Sequence, residues 1–316
     1  MTTARPEGLP YHRIQHGVAA PGDWWRPIVG VLLLAFGVVV LAPVVALAGF
    51  SVGYAVAGAD LDVDRLLDTD HVTPAGLAYV FVVLSSAIPV SWAISRLLHG
   101  LPPRWLTSVV PRIRWRWFVA CLGLAVVALA ARLLVAGMLP HEAGGEVSGE
   151  LNDFTSTTRD FLLIVFLLTP LQAAGEEYAF RGYLTQAFGG LTRSPAVAVV
   201  VPAVLFALAH GAGQSWPIFL DRFAFGLVAG TLAIVTGGLE AGIAMHVLNN
   251  WVAFGLALAY GDMSSALNPT EGSWWSIPET LTHSLVYLGL AVVVGRRMRL
   301  QTRTAPGVLE ASRGRV

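Results

Sequence analysis

The sequence has no lysine, one cysteine and few charged residues of any kind. All twenty basic residues are arginine, so any asymmetry of positive charge must be read from arginine alone. The single cysteine, Cys121, excludes an intrachain disulfide and reads as a small core residue. Charged residues make up 13% of the chain and the net charge is zero, which leaves no basic surface for nucleic acid. No polar stretch exceeds about thirty residues, too little for a soluble domain. Serine-protease GxSG and GxSxG motifs and the aspartyl GxGD motif are absent. His141-Glu142 begins an HExxH pattern, but Gly145 ends it, in a polar loop. No internal repeat is present, which counts against a transporter built from inverted halves.

Hydrophobic residues make up 55% of the chain, and mean hydropathy is +0.65. Eight apolar runs are long enough to predict membrane helices, each needing about twenty residues. They are Pro27–Gly53, Gly76–Leu98, Trp117–Leu139, Asp160–Phe188, Ser194–Gly211, Trp216–Thr236, Leu239–Tyr260 and Leu281–Val294. Runs this long and uniform suit helices rather than barrel strands. The expected fold class is all-α: a polytopic membrane bundle. Arginines cluster before the first run, between the second and third, after the fourth and after the last. The alternate loops carry acids: Asp60 to Asp70, Glu142 to Asp153, and Asp262, Glu271 and Glu279. Positive charge on every second side places both termini in the cytoplasm of a bacterial plasma membrane. Trp24, Trp25, Trp115, Trp117, Trp274 and Trp275 suit an interfacial belt. The expected division is a disordered tail at 1–23, three helices at 24–159, a four-helix core at 160–260, a loop and eighth helix at 261–299, and a basic tail at 300–316 lying against anionic lipid headgroups.

Against this apolar background three polar constellations stand out. Glu176 and Glu177 are adjacent, and buried ionisable groups in a membrane are expensive. Glu177 and Arg181 are four apart in the order that favours an ion pair, while Glu176 turns about 100° away. Phe206 and His210 share a face, as do His246 and Asn250. Each set alone could be a salt bridge or helix-packing glue. Together a carboxylate, two histidines and an asparagine can activate water and stabilise an oxyanion.

The trio EExxxR, FxxxH and HxxxN, in this order on successive membrane helices, resembles the CPBP family. These are the CAAX-prenyl-endopeptidase-like and bacteriocin-processing intramembrane proteases, also called the Abi family. The stretch Phe225-Gly226-xxx-Gly230 and Thr236-Gly237-Gly238-Leu239 also resembles that family, and the likeness covers roughly 169–251. It implies that Glu176 and His210 activate water, that His246 and Asn250 form the oxyanion hole, and that Glu177, Arg181 and Phe206 support them. The substrate would be a peptide or protein in or near the bilayer. The family is often labelled a metalloprotease family, though its structurally understood members resemble metal-free glutamate proteases. Here the spacing favours neither, and the reading leans to metal-free. A zinc ion on Glu176, His210 and His246 is the alternative.

Asp221 and Arg222 add a charged pair early in the sixth run. Adjacent residues do not face each other on a helix, so each should find a partner elsewhere or snorkel. By residue count His210 falls too near the outer side, unless the fifth helix starts late or Pro170 or Pro202 bends a helix. The rival functions are a non-catalytic scaffold or bacteriocin-immunity protein, and a proton-coupled transporter. Gly226-xxx-Gly230 predicts close helix approach beside the site.

Overall fold

A computed structural model describes residues 8–139, 150–210, 213–269, 272–307 and 309. The described residues are helical and connect through short loops. Among the described residues seven helices are long and apolar enough to cross a membrane. With one shorter apolar helix they are α1 (Trp25–Val56), α2 (Pro74–Leu97), α3 (Trp115–Ala136), α4 (Ser156–Thr192), α5 (Pro195–Ala209), α6 (Trp216–Thr236), α7 (Glu240–Tyr260) and α8 (Ser276–Arg297). The bundle is inside-out in the membrane sense. Val39, Val44, Val126, Leu134, Phe166 and Leu167 are exposed on its outer faces. The His141-Glu142 pattern and Gly211 lie outside the described residues.

Local chemistry sets the helix ends. Thr73 and Ser194 accept backbone N–H bonds at the starts of α2 and α5, each followed by proline at the first helical position. Thr155 and Thr158 form a reciprocal capping box on α4. Gly237, at φ 72°, ends α6 in the left-handed conformation that glycine adopts without penalty.

Two helices depart from simple spans. α5 has 15 residues, about 22 Å, so it falls short of a hydrocarbon core about 30 Å thick. The expected eight spans are therefore seven, plus a partial one. α4 has 37 residues, about 56 Å, and so overruns the core. Between Glu177 and Leu184 its backbone bonding widens to i→i+5, a rare distortion that often marks functional sites. Close contacts fix the helices around it. A β-carbon on Gly175 would collide with the Leu84 carbonyl of α2, and one on Gly226 would lie 2.9 Å from Ala203 Cβ of α5. Gly230 faces Val199 on the same helix, so the Gly226-xxx-Gly230 face does let α6 approach α5 closely.

The ends of the chain overturn the expectation of a disordered leading tail, at least for residues 8–18. Tyr11–Arg13 and Ile14–Val18 are helical, and Tyr11 and Ile14 are fully buried. The Tyr11 hydroxyl donates to the Leu106 carbonyl. Gly189 near the end of α4 leaves room for the His12 backbone. The trailing segment pairs with this one: Leu9 N–H donates to Thr304 Oγ1 and Thr304 N–H to the Leu9 carbonyl, both at 2.9 Å. Local composition misled here, because tertiary burial rather than propensity orders the segment. Trp117 is also corrected: it is 1% exposed in the main core with Cys121, Phe206, Phe225 and Tyr287, whereas Trp24, Trp25, Trp115, Trp274 and Trp275 are exposed.

Candidate active site

The site grows from the widened turn of α4. Glu176 and Glu177 are 8% and 0% exposed, and Arg181 is 1% exposed. Arg181 Nη1 lies 3.0 Å from Glu177 Oε1, as the four-residue spacing predicts. The contact is a charge pair and not an aligned hydrogen bond: both Nη atoms and Glu177 Oε2 lack hydrogen-bond partners among the described residues. Instead the guanidinium lies over the Phe206 ring at 4.1 Å and the Phe225 ring at 5.6 Å. Gly242 on α7 makes room for the second carboxylate oxygen, since a β-carbon there would stand 2.6 Å from Glu177 Oε2.

His246 links the two glutamates. Its Nδ1 lies 3.1 Å from Glu177 Oε1 and its Nε2 3.5 Å from Glu176 Oε2. A carboxylate only accepts, so the bond to Glu177 puts a proton on Nδ1. Phe206 and Phe225 flank this imidazole edge-on, with ring centroids 6.1 and 5.1 Å away. Glu176 Oε1 accepts from Gln172 Nε2 at 2.7 Å, and Gln172 Oε1 accepts from Asn250 Nδ2 at 3.0 Å. Glu176 Oε2 is left buried without a hydrogen-bond partner.

His210 comes from the end of α5. Its Nδ1 donates to the Phe206 carbonyl at 2.8 Å, which leaves Nε2 with a free lone pair. The ring packs edge-on to Phe206 at 4.5 Å. His210 feels the charges of Glu176, Arg222 and His246, although no described hydrogen bond or ion pair joins it to them. His210 is exposed, whereas Glu176, Glu177 and His246 are buried. The depth problem is not solved by a late start, because α5 begins at Pro195. Pro170 and Pro202 do lie inside α4 and α5, where proline interrupts the bonding.

Arg222 pairs neither with Glu176 nor with Glu177. Its Nη1 lies 3.8 Å from Asp221 Oδ2, so the adjacent pair that helix geometry seemed to exclude does form, through two flexible side chains.

A zinc-type centre on Glu176, His210 and His246 does not fit this arrangement. Among the described residues no three His, Cys, Asp or Glu side chains group as a metal ion needs.

The family model described as type II CAAX prenyl endopeptidase Rce1-like matches residues 158–252. The matched stretch runs from α4 to the middle of α7 and so contains every candidate residue named above. A Bacillus subtilis (strain 168) protein described as uncharacterized protein YyaK is 28% identical over 243 residues, covering 73% of this chain and 79% of the relative. No solved structure matches the chain at a significant level.

Sequence reasoning missed Gln172, Phe225's role as a ring beside His246, and Gly242. Gln172 carried one legible signal: it is a polar amide four residues before Glu176, on the same helix face.

Proposed function

We propose that this protein is an integral-membrane endopeptidase that hydrolyses a peptide bond with water activated by Glu176. One observation carries the reading: Glu176 presents a buried oxygen with no hydrogen-bond partner among the described residues, while its other oxygen is tied to Gln172. An unpaired carboxylate oxygen in low dielectric is costly unless it serves chemistry. Glu176 Oε2 takes one proton from water as the water oxygen bonds to the scissile carbonyl carbon. His210 Nε2 holds that water by accepting its other hydrogen. The free N–H of Asn250 faces the growing oxyanion, joined by His246 Nε2–H when that imidazole carries protons on both ring nitrogens. Collapse of the tetrahedral adduct breaks the C–N bond, and the proton held by Glu176 passes to the leaving amine. Glu177 and Arg181, clamped by Phe206 and Phe225, hold His246 in place. Both termini and the arginine-rich loops lie on the cytoplasmic side of a bacterial plasma membrane, and the substrate is a peptide or protein segment reached from the bilayer.

The test is cleavage of matched prenylated and unprenylated peptides by protein reconstituted in liposomes. Folded Glu176→Ala and His210→Ala variants should lose turnover. Undiminished cleavage by both would sink the assignment.

A further inference from the structure

Glu176 is the last member of a hydrogen-bond row that starts on a different helix. Arg132 Nη1 on α3 donates to Asn249 Oδ1 at 3.0 Å, and Asn249 Nδ2 donates to Asn250 Oδ1 at 3.3 Å. Asn250 Nδ2 then donates to Gln172 Oε1 at 3.0 Å, and Gln172 Nε2 to Glu176 Oε1 at 2.7 Å. Glu279 on α8 anchors the start, with Oε2 3.3 Å from Arg132 Nε. The row has a fixed direction, because a guanidinium can only donate and a carboxylate can only accept. With both ends fixed, each amide between them has one allowed orientation. Turning any one over would set oxygen against oxygen and nitrogen against nitrogen.

We propose that Arg132 is a positioning residue for hydrolysis, acting through the amides of Asn249, Asn250 and Gln172. The row keeps Asn250 turned with its second N–H free for the substrate carbonyl. It also ties one oxygen of Glu176 and leaves the other for water. This rests on Glu176 being the base, so the test carries a readout that does not depend on turnover.

Asn249→Asp is the discriminating variant. It is isosteric and still accepts from Arg132, but it has no N–H for Asn250. The Glu176 carboxylate stretch, isolated as the infrared difference between the parent and Glu176→Gln, should move in Asn249→Asp. Turnover should fall about tenfold at unchanged KM and unchanged unfolding temperature, roughly one charge-linked hydrogen bond's worth. Arg132→Met should behave alike, and Arg132→Lys, which still donates, should recover most of the rate. An unmoved band in Asn249→Asp overturns the proposal whatever the rate does. A moved band with full turnover overturns its part in hydrolysis. If Glu176→Gln cleaves like the parent, the base assignment falls, while the band still decides the row.

An independent observation is a cavity of about 400 Å³ that lies beside the leading segment and is lined by Gln15, His16, Asp23, Arg26, His99 and Arg193. Arg26 is paired with Asp23 at 3.2 Å, but Arg193 has no carboxylate partner among the described residues. Neighbouring Arg13 has a buried Nε without a hydrogen-bond partner. Gln15 is 3% exposed, and neither polar atom of its side chain is bonded. Repulsion from Arg13 and Arg193 adds to burial in lowering the proton affinity of His16. Arg193, without a carboxylate partner beside a buried, unsatisfied amide and close to Arg13, lacks an anion, and we infer that the cavity binds a phosphate-bearing group. Thermal unfolding and native mass spectrometry would be run with inorganic phosphate, with phosphatidylglycerol and with phosphatidylcholine. Stabilisation by phosphatidylglycerol alone, lost in Arg193→Glu, identifies a lipid headgroup; stabilisation by phosphate too identifies a free anion. No stabilisation by either, or an equal effect in Arg193→Glu, overturns the site.

Discussion

Two glutamate–arginine pairs, Arg114–Glu240 and Arg181–Glu177, are built in opposite ways. Arg114 grips Glu240 with Nε–Oε1 at 2.8 Å and Nη2–Oε2 at 2.6 Å, while its backbone N–H also donates to Oε1 at 3.0 Å. Its remaining Nη1 donates to the Thr236 and Gln301 carbonyls. Every charge is bonded, and the pair fastens the loop before α3 to the start of α7. Arg181 and Glu177 are more deeply buried, yet three of their polar atoms lack hydrogen bonds and aromatic rings cover the guanidinium. A satisfied pair is a fastener. A pair left partly unsatisfied in low dielectric keeps a cost that packing alone would remove, and it sits beside the candidate chemistry.

The comparison breaks most visibly at Glu176. Glu176→Gln should cut turnover by about 10²- to 10⁴-fold, the range of a general base, with little change in unfolding temperature. Single-turnover cleavage and thermal unfolding in detergent, measured together, check this. Glu240→Ala should do the reverse, leaving the part-buried Arg114 without its counter-charge and only the Thr236 and Gln301 carbonyls to accept from it. The loss of about 3–5 kcal/mol of stability would appear in denaturant titration, with turnover per folded molecule kept.

Acid sharpens the contrast without mutation. Burial, aided by Arg26, lowers the pKa of His99 from 6.5 to about 4. Below pH 6.5 the unfolded chain therefore takes the proton first. Stability is intact above that pH and falls by about 3 kcal/mol as pH drops towards 4. His99→Gln, which can still bond the Tyr183 hydroxyl, should flatten that slope in unfolding curves taken from pH 7 to 4. The smallest effect is expected for Arg181→Lys. It keeps the charge but gives up the face-on contact with Phe206, worth about 1–2 kcal/mol. The loss should show in unfolding temperature, and a larger loss than that of Glu240→Ala would erase the distinction between the pairs.

What the sequence made legible was contrast. Glu176, Glu177, Arg181, His210 and His246 are conspicuous because they interrupt apolar runs, and Glu177–Arg181 follows from helix spacing alone. Partnerships across the chain were not legible. Arg114 and Glu240 are 126 residues apart, and nothing local joins Arg132 to Asn249. The widened turn at Glu177–Leu184 was hidden because its bonding pattern answers to neighbouring helices, not to propensity. Tyr11 and Ile14 looked like a tail because their burial depends on α4 and on a segment almost three hundred residues away.

That last pairing has a consequence for biogenesis. Leu9 cannot meet Thr304 until 295 further residues have been made. At about 5–20 residues per second this one contact waits roughly 15–60 s, whereas Leu106, which accepts from Tyr11, is made far earlier. A chain halted before Thr304 would therefore keep Tyr11 on Leu106 but lack the clasp between its leading and trailing segments.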